Sequence, residues 1–305
     1  MTTLPIRFSP EVARARDQGS ALVALESTII THGMPWPQNL ETAGRVEQAV
    51  REAGAVPATI AVLEGRIHIG LTGAELRGLA QVQGVAKLSR ADLAACLASG
   101  GSGATTVAAT MICARAAGIR VFATGGIGGV HRGAAESFDI SADLQELAQT
   151  PVTVVAAGPK AVLDLPKTLE YLETMGVPVI AFGQDELPAF WSRTSGLKAP
   201  LRMDEPAQIA AAHRMREALG LPGGQLVANP VPAADEIAQH EIAPWIAAAL
   251  AEAGARGISA KAVTPFLLQH IYEASAGRSL ATNIALVLNN ARLAARIAKD
   301  LVMNP

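Results

Sequence analysis

Along the chain, short β-branched and aliphatic runs alternate with longer stretches in which apolar positions recur every three to four residues. The first pattern reads as buried strand and the second as amphipathic helix. Residues 119–123, 152–156, 177–182 and 225–228 fall in the strand class, together with the apolar run 22–25. Residues 39–53 fall in the helical class. Leu40, Ala43, Val46, Val50 and Ala53 share one face there, and Gly54 supplies the stop. The segment TIAVLEGRIHI, 59–69, predicts a hairpin turning at Glu64-Gly65. Ser89 followed by Asp92 has capping-box spacing and opens a helix through 98. Residues 104–117 read as a helix of small residues, and 141–149, 161–175 and 205–219 as further helices. From 237 onward every stretch reads as helical, ending in the long 280–301. Such alternation implies a βαβ-built, largely parallel sheet of the α/β class. No repeat, low-complexity tract or long linker divides the chain, so residues 1–305 are expected to form a single domain.

In open α/β sheets, ligands bind beyond the carboxyl ends of the strands. Three predicted strand ends carry chemistry. Glu26 follows 22–25; TGGIGGVHRG, 124–133, follows 119–123; and Ala157-Gly-Pro-Lys160 follows 152–156. A lysine in such an apolar loop is partly desolvated, which favours the nucleophilic free amine. Glu26 is placed to act as a proton donor. The competing readings are structural: a lysine that caps a helix or pairs with a surface carboxylate, and a glutamate that does the same. His32, in THGMPWP, is a second titratable group in reach of that strand end, or a turn-stabilising one.

Composition narrows the functional classes. Half of the 305 residues are hydrophobic and 17% are charged, too apolar for disorder. Twenty-five Lys and Arg against 27 Asp and Glu leave −2, without the basic footprint that nucleic acid requires. No uncharged apolar run approaches the ~18 residues of a membrane span. The first twenty residues have no apolar core of a secretory signal. Cys96 and Cys113 both lie in helical stretches, as expected of two buried free thiols in a reducing, cytoplasmic setting.

The glycine-rich segments GGSGATTV, 100–107, and 124–133 lie beside helices, where backbone N–H groups can cradle a phosphate. Neither has the Gly-Lys-Ser/Thr of a P-loop, and no acidic strand end completes a dinucleotide fingerprint. Ser141 is a credible N-cap, with Asp143 in the first turn. Asp139 precedes that cap and is unexplained by it; one carboxylate plus waters would suit a hard divalent cation. Lys87 is a candidate counter-charge for phosphate. Asn283 and Asn290, seven apart on an apolar helix, need partners if buried.

The runs LESTIITHGMPWPQNLETA, KLSRADL, GATTVAATM, GIRVFATGGIGGVHRGAAESFDISADLQEL, AAGPK, DELPAFWSRTSG and VANPVP resemble the pseudouridine-5′-phosphate glycosidases, also called the indigoidine-synthase-A-like family. The likeness extends from about residue 20 to 300. It implies a three-layer α/β/α fold, a homotrimer and one Mn²⁺ per subunit. The implied reaction interconverts pseudouridine 5′-phosphate plus water with uracil plus ribose 5-phosphate. By the same resemblance Lys160 matches the Schiff-base lysine and Glu26 the proton donor. Lys87, Val107, Ser141, Ala142 and Asp143 match substrate contacts, Asp139 the metal carboxylate, and His131 and Asn283 polar positions near the substrate. A Schiff-base lyase of the aldolase type on another sugar phosphate, or a non-catalytic sugar-phosphate-binding protein, are the other readings.

Overall fold

A computed structural model describes residues 3–258 and 263–303. The helical expectation at 259–262 lies outside the described residues. In chain order the elements are β1 (Ile6–Phe8), α1 (Pro10–Asp17), β2 (Leu22–Leu25), α2 (Thr28–Thr31), α3 (Gln38–Glu52), β3 (Val56–Leu63) and β4 (Arg66–Ile69). Next come α4 (Gly73–Gln81), β5 (Ala86–Leu88), α5 (Arg90–Ala98), β6 (Gly103–Thr105), α6 (Val107–Ala116), β7 (Val121–Ala123), α7 (Ala134–Ser137) and α8 (Ala142–Gln149). They are followed by β8 (Thr153–Ala156), α9 (Leu165–Thr174), β9 (Val179–Phe182), β10 (Leu201–Met203), α10 (Pro206–Ala218) and β11 (Gln225–Ala228). The helices α11 (Gln239–Ala255), α12 (Val263–Ala274) and α13 (Arg278–Met303) close the chain.

The sheet runs β1-β4-β3-β2-β7-β8-β11-β9-β10 and is parallel except where β3 meets β4 and β6. Its two faces bury separate apolar clusters. Val23, Leu25, Val121, Val155 and Val227 face α3, α10 and α13, while Ala24, Phe122, Val154 and Leu226 face α6, α8 and α9. Alternate residues of the same strands are thus buried on both sides, as a parallel sheet between helical layers requires. The result is one α/β/α domain.

One departure from a plain doubly wound sheet positions the site. Residues 56–59 of β3 pair with β2, but β3 continues four residues past the end of β2. β6 takes up the vacated edge, pairing Ala104 with Ala61, and β5 pairs with β6 in turn. Ser27 splices the junction: its hydroxyl donates to Ile60 O at 2.7 Å and accepts from Thr105 N–H at 2.9 Å. A small annex β5–β6 therefore stands beyond the end of β2.

That annex corrects the helical reading of 104–106. Residues 103–105 form a strand, and the helix begins only at Val107, capped by the Thr106 hydroxyl. Small size allows both states, and the pairing with β3 decides between them. Likewise α9 starts at 165 rather than 161, because Asp164 caps it and Pro166 sits in its first turn. The three-residue strands β1, β5 and β10 are too short for a periodic signal. The hairpin turns at Glu64-Gly65 with both residues at positive φ, and Asp92 accepts from the Ser89 N–H at 2.9 Å, both as the sequence predicts. Cys113 is fully buried, and burial pushes its thiol up to about 12. Cys96, by contrast, is only half-buried, since its helix α5 lies at the edge of the domain.

Candidate active site

β2, β7 and β8 are adjacent, parallel strands, so their carboxyl ends open onto one place. Glu26 leaves β2, Thr124 and the glycine-rich loop leave β7, and Ala157–Lys160 leave β8. Lys87, on β5, and Val107, at the start of α6, come from the annex side. The ends meet at a cleft with two lobes. A polar lobe is lined by Lys87, Ser89, Arg90, Thr106, Val107, His131, Asp139, Ser141, Ala142 and Asp143. A second lobe is walled by the apolar side chains Ile29, Met34, Phe190, Pro265, Leu268 and Leu286, with Asn283 and His32. Glu26, Thr28, Lys87 and Lys160 belong to both and mark the seam. Every residue singled out in the sequence as catalytic, substrate-contacting or metal-ligating lines one of these lobes.

The polar lobe is built from helix starts. The N-termini of α5, α6 and α8, capped at Ser89, Thr106 and Ser141, all border it, and the positive ends of their dipoles favour an anion. Asp143 is 7% exposed, and its two oxygens accept from Ala108 N–H at 2.9 Å and Gly128 N–H at 2.8 Å. It thereby ties α6 to the glycine loop, so its carboxylate is already occupied by protein. Glycine is obligatory at 128: a Cβ there would lie 2.2 Å from Ser141 Oγ and 2.8 Å from Asp143 Oδ2. At Gly158, φ is +83° and a Cβ would meet Pro188 O at 2.6 Å. This glycine turns the chain so that Lys160 follows β8 directly.

Lys160 is half-buried, and its N–H donates to Ile127 O at 3.1 Å, joining its loop to the glycine segment. It does not cap a helix, because Asp164 does so for α9. Glu26 is held at both oxygens: the hydroxyl of Thr28 donates to Oε2 and that of Thr124 to Oε1. His32 is held below the ordinary imidazole range by burial and by the charge of Lys87. Its Nδ1 lies 2.6 Å from Thr31 Oγ1, so it also has the turn-bonding role. His131 and Asp139 face each other with Nδ1 3.8 Å from Oδ2, and the His131 N–H donates to Asp139 O at 3.0 Å. Asn290 is fully buried and partnered, whereas the buried Oδ1 of Asn283 has no hydrogen-bond partner among the described residues.

Sequence reasoning missed Thr28, Thr124 and Arg90. Thr124 opens the TGGIGG motif and Arg90 follows the Ser89 cap, but nothing at the level of spacing marks either side chain as cleft-facing. Arg90 lines the polar lobe and donates to the buried carboxylate of Glu146.

Residues 11–300 match the family model of indigoidine synthase A like proteins. The chain belongs to this family. It is 71% identical over 299 residues to a pseudouridine-5′-phosphate glycosidase of Jannaschia sp. strain CCS1, covering 98% of this chain and 99% of that one. A protein of the same name from Paracoccus denitrificans is 72% identical over 295 residues, covering 96% and 97%. Among solved structures, the prealnumycin C-glycosynthase AlnA in complex with ribulose 5-phosphate superposes with a TM-score of 0.91 at 39% identity, over 99% of this chain and 98% of that one. An indigoidine synthase A-like protein from Thermotoga maritima gives 0.89 at 33% identity, over the same shares. The family match therefore takes in every strand of the sheet but β1, and both lobes of the cleft.

Proposed function

We propose that this chain is a pseudouridine-5′-phosphate glycosidase, cleaving the C–C glycosidic bond of pseudouridine 5′-phosphate reversibly to uracil and ribose 5-phosphate. The observation that carries this reading is the seam: a lysine and a carboxylate stand together between an anion-binding lobe and an apolar lobe with an unpaired amide oxygen. The polar lobe takes the 5′-phosphate, on Lys87 and on the N–H groups of Val107 and Ala142 at the starts of α6 and α8. Asp143 keeps those N–H groups in register. The apolar lobe takes the flat nucleobase, and Asn283 Oδ1 accepts from a uracil N–H.

A carbon leaving group departs far less readily than the nitrogen or oxygen of an ordinary glycoside, so two carboxylates alone do not suffice. Lys160 supplies covalent catalysis. Its amine attacks C1′ as the C1′–O4′ bond breaks and Glu26 gives its proton to O4′. The resulting secondary ammonium returns a proton to the Glu26 carboxylate. Protonation of uracil C5 by Glu26 then accompanies C1′–C5 cleavage, driven by the nitrogen lone pair, and leaves an iminium at C1′. Water adds, its proton goes back to Glu26, and ribose 5-phosphate leaves as Lys160 regains its amine.

Asp139 is the residue proposed to hold Mn²⁺, with His131 beside it. Among the described residues no cluster of three or more His, Cys, Asp or Glu forms a closed cage. One carboxylate in an open polar lobe suits a cation that keeps most of its water ligands. Such an ion would supply positive charge for orienting bound substrate. The same reading carries a homotrimer, which sedimentation equilibrium checks, and a cytoplasmic location. Uracil release from pseudouridine 5′-phosphate, with uridine 5′-phosphate inert, is the deciding assay, run with and without Mn²⁺. Borohydride added with ribose 5-phosphate should leave a reduced adduct on Lys160. An unmodified lysine under turnover conditions would sink the mechanism.

A further inference from the structure

The proton carrier of this site is supported from behind, and that support has a direction. Glu26 is the first residue after β2 and belongs to no helix or strand, so its backbone alone does not fix where the carboxylate points. Two hydroxyls do. Thr28, at the start of the four-residue α2, donates to Oε2, and Thr124, the first residue after β7, donates to Oε1. Thr124 is 2% exposed and is itself anchored from the opposite layer of the fold. Asn290 of α13, fully buried, donates through Nδ2 to Thr124 O at 2.8 Å. Its Oδ1 accepts from Asn229 Nδ2 at 3.0 Å, at the carboxyl end of β11. A buried hydrogen-bonded chain thus runs from Asn229 through Asn290 to the Thr124 backbone, and from the Thr124 hydroxyl to Glu26.

Buried amides are costly unless fully partnered, and a helix facing an aliphatic sheet would pack equally well with leucine. The apolar face of α13 carries Asn290 where it crosses the strand ends, next to the one loop whose position sets Glu26. We propose that Thr124 and Thr28 are positioning residues for Glu26, and that the Asn290–Asn229 pair holds Thr124 in place. They act by confining the carboxylate to the direction in which its proton reaches O4′, and later C5, of the substrate bound at Lys160. Each oxygen that gives up or takes a proton keeps one threonine hydroxyl as a fixed neighbour through the cycle. This proposal rests on the glycosidase reading above.

The test compares Thr124→Val, which keeps shape and removes the hydroxyl, with Thr124→Ser, which keeps the hydroxyl. Wild type must first release uracil from pseudouridine 5′-phosphate; if it does not, the reading and this proposal fall together. Given turnover, Thr124→Val should lower kcat by about 100-fold, the scale of a misplaced catalytic group. Its KM should stay within about threefold, since Glu26 does not bind the phosphate. Thr124→Ser should recover most of kcat. Endpoint borohydride trapping of ribose 5-phosphate on Lys160 should remain complete in Thr124→Val, showing the lysine and phosphate lobe intact. Thr28→Val, at a half-buried and more tolerant position, should show the same split, and keeps the test decisive if Thr124→Val does not fold. A kcat within twofold of wild type for the valine variants would overturn the proposal. So would a serine variant as slow as the valine one, or a loss confined to KM.

Discussion

The two lobes of the cleft are lined by different residues. The polar lobe rests on three helix starts, the cationic side chains of Lys87, Arg90 and Lys160, and a carboxylate already spent on backbone N–H groups. The apolar lobe rests on side chains of α2, α13 and the Pro265–Leu268 turn of α12, with a single unpartnered amide oxygen. Backbone donors cannot be mutated away and bind any anion of the right size; side-chain walls choose shape. On the proposed function, the contrast separates affinity for a sugar phosphate from choice of aglycone, with Lys160 and Glu26 where the two lobes meet.

Removing the seam should have the largest effect. Lys160→Ala is expected to lower kcat by roughly 10⁴-fold or more, as loss of a nucleophile does, while thermal unfolding stays near wild type because the side chain bears no helix cap. Retained activity would dissolve the distinction between seam and lobes. Next, Lys87→Met should raise KM for pseudouridine 5′-phosphate and for ribose 5-phosphate alike, by about 30-fold to 140-fold, the worth of a charge-assisted bond of ~2–3 kcal/mol. An increase for only one of them would move Lys87 out of the shared phosphate site. Asn283→Leu should act on the other lobe, raising KM for uracil in the synthetic direction by about 10-fold, with borohydride trapping of ribose 5-phosphate unchanged. Equal effects on both ligands would erase the division of labour.

The smallest expected effect concerns stability. His213 and His68 are held below the ordinary imidazole value, chiefly by burial, although Glu217 and Glu75 pull in the opposite sense. Each binds its proton more tightly when unfolded. Their neutral forms therefore support the fold fully above the unfolded value near 6.5, and that support is lost as pH falls below it. Each contributes at most about 1.4 kcal/mol per pH unit. Melting temperature should decline from pH 7 towards pH 5, with a shallower decline in His213→Gln. A flat profile would remove these histidines from the stability balance.

Much of this architecture was legible from the pattern alone. Leu22–Leu25 and Gln225–Ala228 are β-branched or aliphatic strands whose neighbours repeat at helical spacing, and they fold accordingly. Ser141 and Ser89 announced their helices because capping chemistry is local. What was misread lacked local signal. GATT at 103–106 has no turn of its own and becomes a strand because β3 overruns β2 and offers an unpaired edge. Thr124 was hidden in a glycine-rich string, and only the proximity of β2 shows that its hydroxyl meets Glu26. By spacing Asp143 reads as a first-turn acid and by resemblance as a substrate contact; its two backbone partners lie 35 and 15 residues away in the chain.

By itself, then, the sequence determined the class of fold, the position of Glu26, the glycine loop and Lys160 after strands, and the low charge of the chain as a whole. These follow from periodicity and from the rule that strand ends carry ligands. Tertiary structure decided that β2, β7 and β8 are neighbours, separated as they are by up to some 130 residues of chain. It also placed Lys87 opposite them on a short annex, and brought Asn290 across the sheet to brace Thr124. Strand order and cross-layer hydrogen bonds depend on contacts distant in sequence, which no local pattern encodes.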